Sequence, residues 1–321
     1  MVWHRETLYP VIRFAFLQAQ SLMSNSDNQP QSGFAALASG AVLSPFTRLR
    51  QLLGDTPPGI TPEIQMTIGE PREVMPNFVV DKIKEAEALF AKYPLIQGTD
   101  ALRQAIASWI DRRYQLSDKI DPATEVLAVN GSREGLFFAA LPALGRKTAA
   151  GKPAILMCNP FYATYIGTAL GVNAEPVYLN ATSETGHLPD LDLLAKDTEL
   201  LAKSVAFYVA SPANPQGTVA GADYISQALA LARKHDFMLF FDECYSEIYT
   251  DTPPVGALQV AAQTPERFRN LVVFNSLSKR SNLPGLRSGF CAGDPEFLAV
   301  FREIRNLVAP QIPGPLQHAA A

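Results

Sequence analysis

The chain has 321 residues, about the length of two domains of average size. Its residues are 47% hydrophobic and 18% charged, which is enough apolar material for a sizeable core and excludes a disordered protein. The 27 Lys and Arg residues nearly balance the 31 Asp and Glu residues, and the net charge of -4 argues against general nucleic-acid binding. No apolar run approaches the roughly 20 residues of a membrane helix. The 3 cysteines cannot all pair, and two lie in apolar segments, so we expect a reducing, cytoplasmic location.

The first residues read as an extension ahead of the folded body. Residues 1–22 mix apolar and basic side chains, and the polar, turn-forming stretch SNSDNQPQSG follows closely. Arg13 interrupts the apolar run, which disfavours a secretory signal, whereas a transit peptide and a later start at Met23 both stay open, although Glu6 counts against the transit peptide. We therefore expect residues 1–33 to be an extension that is either disordered or due to a mis-assigned start.

Helical patterns come next in the chain. Ser44 and Pro45 are typical of the start of a short helix, with Ser44 as its cap. The apolar face of this helix would consist of Phe46, Leu49, Leu52 and Leu53. A Pro-rich connector follows, and residues 77–92 and 99–114 then show the apolar spacing of two amphipathic helices.

From residue 125 onward, short apolar strands alternate with helices. Near-continuous apolar strands covered by helices predict an α/β fold, a three-layer αβα sandwich with a mostly parallel sheet buried on both faces. Ligands bind such sheets at the carboxyl ends of the strands, so the polar residues just after each strand carry the functional information. The predicted strands are EVLAVN, AILMCN, EPVYLN, SVAFYVAS, FMLFFDE, LVVFNS and RSGFCAG.

Three of these strands end in residues that suit a flat, phosphorylated ligand. Ser132 and Arg133 open a helix after the first strand, where exposed backbone N–H groups favour phosphate, although many strand-to-helix turns look alike. Tyr162 follows the second strand and could stack on a ring or belong to the core. Asn214 lies between two prolines, where its amide could bind a ligand oxygen or satisfy its own turn.

Asp242 ends the apolar strand FMLFFDE. A buried carboxylate is costly without a partner, and a protonated ring nitrogen would serve as one, while helix capping is the alternative role. Tyr245, three residues further on, could donate a hydrogen bond to a phenolic oxygen of the same ring.

The turn after LVVFNS carries the most specific group of residues. Lys279 lies at the mouth of a strand, where partial desolvation can make it a nucleophile toward an aldehyde. Ser276, Ser278 and Arg287 offer hydroxyl donors and a bidentate cation for phosphate oxygens. An aldehyde, a phosphate, a pyridine nitrogen and a phenolic oxygen occur together in pyridoxal phosphate, whose chemistry the protein would tune.

The motifs SLSKRSNLPGLRSG, DECYSEIY and SPANPQG resemble those of the class I/II aminotransferases, which have the fold-type-I pyridoxal phosphate arrangement. The resemblance extends from about Phe34 to the end of the chain. NGSREGLF and NPFYATY add a finer similarity to the N-succinyldiaminopimelate aminotransferases. The resemblance implies transfer of an amino group from N-succinyl-LL-2,6-diaminopimelate to 2-oxoglutarate, in lysine and diaminopimelate biosynthesis.

The resemblance also implies a role for each matching residue. Lys279 would bond covalently to the cofactor aldehyde and later move the proton between the substrate α-carbon and the cofactor C4′. Asp242 would pair with the pyridinium nitrogen, Tyr245 and Asn214 would bind the 3′-oxygen, and Tyr162 would stack on the ring. The residues implied for the phosphate are Ser132, Arg133, Ser276, Ser278 and Arg287.

Two further matches concern the substrate and a second subunit. Gly69, in IGEP, matches a glycine whose backbone lies near the substrate carboxylate, where Asn214 would also bind. Tyr93 matches a tyrosine that reaches the phosphate of the neighbouring subunit, which implies a homodimer with shared sites.

The chain departs from the family pattern at its C-terminus. We assign residues 34–68 to the first part of a small domain and residues 69–321 to the large cofactor domain. The rest of the small domain, with the arginine that binds the substrate α-carboxylate, has no match. Arg302 and Arg305 read instead as the solvated face of a helix whose apolar residues are Phe301, Ile304 and Leu307.

Several alternatives stay open. The same residues would serve a β-lyase or a transaminase for another amino acid, and a truncated fragment could bind the cofactor without turnover. A regulator with a DNA-binding head is disfavoured because residues 1–33 are few and not strongly basic. No G-x-G-x-x-G follows a predicted strand, so a dinucleotide site is not supported. No metal site is expected, because the cysteines lack ligand spacing and the histidines are scattered, at His4, His187, His235 and His318.

Overall fold

The computed structural model describes residues 33–40, 42–64, 66, 68–147 and 151–321. The predicted extension, residues 1–33, lies outside the described residues apart from Gly33. The helices are α1 Gly33–Ala38, α2 Pro45–Leu53, α3 Phe78–Glu85, α4 Asp100–Tyr114, α5 Ser132–Phe138, α6 Ala140–Arg146, α7 Ala163–Gly171, α8 Leu191–Leu194, α9 Thr198–Lys203, α10 Ala222–His235, α11 Ala257–Ala261, α12 Leu277–Arg280, α13 Pro295–Val308 and α14 Gly314–Ala320. The strands are β1 Val126–Val129, β2 Ala154–Asn159, β3 Glu175–Asn180, β4 Ser204–Ala210, β5 Met238–Asp242, β6 Leu271–Ser276 and β7 Gly289–Gly293.

The strands form one seven-stranded sheet in the order β1-β7-β6-β5-β4-β2-β3. The pairs from β3 across to β6 are parallel, and β7 runs antiparallel to both of its neighbours, β6 and β1. The predicted mostly parallel sheet is therefore confirmed, with all seven strands at the predicted places. The carboxyl ends of β4, β5 and β6 lie side by side at one edge.

Both faces of the sheet are covered by helices. Phe207 and Leu239 face one layer, where they pack with apolar residues of α4, α10 and α11. Tyr208 and Phe240 face the other layer, which α5, α6, α7 and α13 cover. Each large apolar side chain that is fully buried in this way contributes roughly 1.5–3 kcal/mol to the free energy of folding. The three-layer αβα prediction is confirmed.

The helices before the sheet agree less closely with the predictions. The helix predicted over residues 99–114 forms as α4, and the Thr99 hydroxyl caps it by accepting a hydrogen bond from the Leu102 N–H at 3.3 Å. The helix predicted over residues 77–92 is interrupted, because Ala86 has φ -110° and ψ 14°, and a short 3-10 helix, Glu87–Ala91, follows the break.

Helix α2 forms where it is predicted, but its surroundings differ from the expectation. Ser44 occupies the N-cap position without a side-chain hydrogen bond, so Pro45 provides the start signal. The predicted apolar face is exposed within the described part of the chain: 46% for Phe46, 37% for Leu49, 78% for Leu52 and 48% for Leu53.

The assignment of Arg305 to a solvated face is wrong. Arg305 is 1% exposed, and its Nε and Nη2 each lie 3.0 Å from the Glu134 carboxylate. It follows Phe301 by four residues and therefore shares the buried side of α13, where Glu134 neutralises its charge. Leu307 is instead 84% exposed, and Arg302 pairs with its neighbour Glu303.

None of the helices in the described ranges combines the length and the hydropathy that a bilayer crossing requires.

Candidate active site

The candidate site lies at the sheet edge where β4, β5 and β6 end. Asp242 is the last residue of β5, and it lies opposite Ala210 of β4 and Phe274 of β6. Ser276 is the last residue of β6, and Lys279 follows in α12. Parallel strands bring their carboxyl ends to the same edge, so residues that are far apart in the chain meet here.

Asp242 is a buried carboxylate without a basic partner among the described residues. It is 9% exposed, and it accepts hydrogen bonds from the Tyr165 hydroxyl at 2.9 Å and the Cys244 N–H at 3.3 Å. Burial raises the pKa of Asp242, and the hydrogen bonds from Cys244 and Tyr165 oppose that rise. A cationic group placed against this carboxylate would offset the cost of its burial.

Lys279 lies at the mouth of the site. Its side chain is half-buried, and its ammonium donates a hydrogen bond to the Gly69 carbonyl oxygen. Its Nζ is 6.0 Å from the centroid of the Tyr245 ring. The structure thus brings together Lys279, Gly69 and Tyr245, which the sequence singles out in three separate motifs.

Asn214 and Tyr245 follow neighbouring strands, β4 and β5, and their side chains meet. The Asn214 amide nitrogen donates to the Tyr245 hydroxyl at 3.4 Å. Burial, with the nearby Asp242 carboxylate, raises the pKa of Tyr245, so its phenol remains a donor at neutral pH. Asn214 itself is exposed, which leaves its amide oxygen open to solvent.

The turn between β1 and α5 is shaped around Arg287. Gly131 has φ 76°, and a Cβ at this position would lie 2.3 Å from Nη2 of Arg287. The positive φ therefore favours glycine here, whereas a Cβ would only displace the end of the flexible Arg287 side chain. Arg287 Nη2 also donates to the Asn130 carbonyl oxygen at 3.4 Å, and its Nη1 donates to the Pro284 carbonyl oxygen at 2.9 Å.

Cys244 connects two of the serines predicted to bind phosphate. Its thiol donates to the Ser132 hydroxyl oxygen at 3.1 Å, and its sulfur lies 3.6 Å from the Ser276 hydroxyl oxygen. Burial raises the pKa of Cys244 well above its ordinary value, so the sulfur keeps its proton. The sequence offers no local signal for this contact, because Ser132 is 112 residues away.

Tyr162 and Arg133 form a second pair at the rim. Arg133 Nε donates to the Tyr162 hydroxyl at 2.7 Å, and the Tyr162 ring meets the Tyr165 ring edge-on at 5.8 Å between centroids. Ser278 and Tyr93 are not brought into contact with this cluster. Within the described residues neither side chain makes a hydrogen bond, and Tyr93 is 99% exposed.

Glu243, next to Asp242, was not among the predicted site residues. Its carboxylate stabilises the buried side of the site through hydrogen bonds. Its carboxylate accepts from the Tyr114 hydroxyl at 2.5 Å and from the Ala257 N–H at 2.7 Å. Burial raises the pKa of Glu243 to about 7. Its tyrosine partner lies 129 residues away, so only the folded chain shows the pair.

Within the described ranges no group of three or more His, Cys, Asp or Glu side chains is placed to hold a metal ion.

The comparisons agree on one family. The family model described as aminotransferase class I and II matches residues 61–321. An LL-diaminopimelate aminotransferase of Nitratidesulfovibrio vulgaris is 32% identical over 247 residues, which cover 76% of this chain and 60% of that protein. The chain therefore spans about 60% of the length of the curated relatives that it matches first.

Solved structures of aminotransferases also superimpose on this chain. An aminotransferase from Neisseria meningitidis Z2491 superimposes with a TM-score of 0.79 at 37% identity, over 87% of this chain and 70% of that one. The N-succinyldiaminopimelate aminotransferase of Mycobacterium tuberculosis superimposes with a TM-score of 0.67 at 25% identity, over 78% of this chain and 63% of that one.

Proposed function

The chain belongs to the class I and II aminotransferases, a pyridoxal phosphate-dependent family, and from this we propose that it transfers an amino group between an amino acid and a 2-oxo acid. Relatives at 28–32% identity are LL-diaminopimelate aminotransferases, which supports a substrate of the diaminopimelate type in lysine biosynthesis. The finer proposal is N-succinyl-LL-2,6-diaminopimelate as the amino donor and 2-oxoglutarate as the acceptor. The likeness to the Mycobacterium tuberculosis enzyme supports it.

One observation carries the proposal: among the described residues the buried Asp242 carboxylate has no cationic partner, and it ends a strand at the sheet edge where Lys279, Tyr245 and Asn214 also lie. A protonated pyridine nitrogen fits that carboxylate in charge and in hydrogen-bonding capacity. The Gly131 turn, with Arg287 against it, offers donors for a phosphate. The residues present therefore fit pyridoxal phosphate.

When bound, pyridoxal phosphate would supply the electron sink that makes the substrate α-carbon acidic. Asp242 would keep the ring nitrogen protonated. The Tyr245 hydroxyl would donate a hydrogen bond to the ring 3′-oxygen, and the Asn214 amide N–H would donate a second one. Tyr162 would stack on the ring and limit access of water.

Lys279 is proposed as the residue that moves the proton. As a covalent anchor, its Nζ would hold the cofactor aldehyde carbon. Once the substrate amine has displaced it, the free amine would remove the proton from the substrate α-carbon and deliver it to C4′ of the cofactor. Gly69, whose carbonyl oxygen accepts from Lys279 in this structure, would then lie beside the substrate carboxylate together with Asn214.

The phosphate is proposed to bind to a group of hydroxyl and cationic side chains around the Gly131 turn: Ser132, Arg133, Ser276, Ser278 and Arg287. Tyr93, whose side chain is 99% exposed, is proposed to reach the phosphate of a second subunit in a homodimer.

The first experiment traps the cofactor on the lysine. The chain is incubated with pyridoxal phosphate, reduced with borohydride, digested and mapped by mass spectrometry. We expect the adduct on Lys279, its loss in Lys279→Ala, and its retention in Lys234→Ala, where the lysine is an exposed residue of α10. A wild-type adduct that mapped to another lysine, or a Lys279→Ala chain labelled as fully as the wild type, would refute the assignment.

The second experiment identifies the substrate. Turnover with 2-oxoglutarate is compared for N-succinyl-LL-2,6-diaminopimelate, LL-diaminopimelate and a panel of aromatic and branched amino acids. The finer proposal requires the highest kcat/KM for the succinylated donor. A preference for free LL-diaminopimelate would leave only the broader proposal, and release of pyruvate from a β-substituted donor would indicate a β-lyase.

A further inference from the structure

Tyr165 joins the two side chains that are proposed to contact the cofactor ring. It lies on α7 and is 1% exposed. Its hydroxyl donates to Oδ2 of Asp242 at 2.9 Å, and its ring meets the Tyr162 ring edge-on, with 89° between the planes. One buried side chain therefore touches both the acid that would pair with the ring nitrogen and the aromatic residue that would stack on the ring.

The hydrogen bond from Tyr165 affects which form of Asp242 is favoured. Within the described chain, Oδ2 of Asp242 accepts from Tyr165, and Oδ1 accepts from the Cys244 N–H at 3.3 Å. Hydrogen bonds to a carboxylate favour its charged form, whereas burial favours the neutral form. Burial and the Asp242 carboxylate raise the pKa of Tyr165 well above its ordinary value, so its hydroxyl keeps the proton that it donates.

The position of Tyr165 is fixed by a neighbour that does not touch Asp242. The Tyr208 ring stacks on the Tyr165 ring, with 4.9 Å between centroids and 26° between planes. The Tyr208 hydroxyl donates instead to the Leu136 carbonyl oxygen at 2.8 Å. Tyr208 is fully buried, so the two tyrosines form a matched pair of buried hydroxyl groups, of which one serves Asp242.

We propose that Tyr165 is a positioning residue, which holds the Asp242 carboxylate ionised and aimed at the ring nitrogen of bound pyridoxal phosphate. The inference rests on the proposed function, because it needs that cofactor in the site. Removal of the hydroxyl leaves Oδ2 of Asp242 without its donor, which weakens the hold of the carboxylate on a protonated ring nitrogen.

The test compares Tyr165→Phe with Tyr208→Phe in the full chain. The dissociation constant of pyridoxal phosphate is measured by absorbance titration, and the pH midpoint of the bound cofactor's visible absorption is recorded for each protein. We expect Tyr165→Phe to weaken binding about tenfold, the usual effect of losing a hydrogen bond to a charged group, and to shift the midpoint. Tyr208→Phe should stay within about twofold of the wild type.

A cofactor analogue makes the test specific to the ring nitrogen. In 1-deazapyridoxal phosphate a carbon replaces that nitrogen, so the ring has no N–H group with which Asp242 could pair. Tyr165→Phe should bind this analogue as tightly as the wild type does. An equal loss of affinity for both compounds would mean that Tyr165 only shapes the pocket, and would overturn the inference.

The remaining outcomes also decide between the proposals. Melting temperatures show whether the two variants fold alike, and Tyr165→Leu repeats the comparison with the ring removed. If the wild type binds pyridoxal phosphate and Tyr165→Phe matches Tyr208→Phe, the inference fails and the proposed function stands. If the wild type forms no complex with pyridoxal phosphate, both fall.

Discussion

The candidate site has a buried floor and an open mouth, which are held in different ways. The floor consists of Asp242, Glu243, Cys244 and Ser276, all at or beside strand ends and all buried. The mouth consists of Gly69, Asn214, Lys279 and Arg287, which are exposed or half-buried. Tyrosine hydroxyls, a serine hydroxyl and backbone N–H groups hold the floor, whereas hydrogen bonds near the surface hold the mouth.

The difference teaches which property each region controls. Buried polar groups lose their partners only at a cost to folding, so changes in the floor should alter stability together with cofactor binding. Exposed groups can rotate into water when a partner is lost, so changes at the mouth should alter binding alone.

The largest expected effect comes from the ion pair of Glu134 and Arg305, next to the Gly131 turn. Glu134 accepts from both Arg305 and the Asn130 N–H, so the pair anchors the turn that leads into the floor. Arg305→Ala leaves a buried carboxylate unpaired and should cost about 3–5 kcal/mol of unfolding free energy. Urea denaturation measures the loss.

Arg302→Ala is the control on the same helix, because this guanidinium is part-exposed and its one ion pair within the described part of the chain is with the neighbouring Glu303. It should change the unfolding free energy by about 0.5 kcal/mol or less. Equal losses in the two variants would contradict the role given to the buried pair.

The second prediction concerns the pH dependence of the floor. The pKa of Glu243 is raised from 4.5 to about 7 by burial, with Tyr114, Arg113 and Asp242 as its charged or hydrogen-bonding neighbours. A carboxyl group whose folded pKa is raised stabilises the fold fully below its unfolded pKa, and this stabilisation is lost as the pH rises through the folded value. The stabilisation by Glu243 is therefore lost over the range from about pH 4.5 to just above pH 7.

Glu243→Gln removes this titration. The unfolding free energy of the wild type minus that of the variant should fall by on the order of 3 kcal/mol across this pH range. Urea unfolding at pH 5, 6, 7 and 8 measures the difference, with the exposed Glu303→Gln as control. A difference that stays constant over the series would mean that Glu243 is ionised throughout.

The smallest effect on stability is expected at the mouth. Arg287→Ala removes an exposed side chain whose hydrogen bonds, within the described residues, go to the carbonyl oxygens of Pro284 and Asn130. The unfolding free energy should change by about 0.5 kcal/mol or less, while the affinity for pyridoxal phosphate should fall about tenfold or more, because the proposed charge-assisted contact with the phosphate is lost. Thermal unfolding of the free chain and absorbance titration separate the two effects. A large loss of stability would place Arg287 with the floor.

The sequence predicts the fold well because apolar strands followed by polar residues are local patterns. Asp242 ends one strand, and Asn214 and Lys279 follow closely after two others, so the rule that parallel strands end at one edge is enough to gather them. Tyr165, Tyr114 and Cys244 act through partners far away in the chain, and no local pattern contains that information.

Arg305 is a different case, because a signal for its position was present. It follows Phe301 by four residues and Leu298 by seven, which is the spacing of one helix face. The exposure expected of an arginine outweighed that spacing in the prediction. The Glu134 carboxylate, which reverses the outcome, lies 171 residues earlier.

The late position of the antiparallel strand β7 in the sequence also determines when the sheet can be completed during synthesis. Within the described sheet, β1 lies at an edge and pairs with β7 alone, through residues 289–292. On a ribosome, which releases the chain from its N-terminus, β1 therefore waits without a neighbouring strand until the last strand of the sheet has emerged. Arg287 emerges just before β7, so the turn at Gly131 gains its contact with Arg287 long after the turn itself has been synthesised.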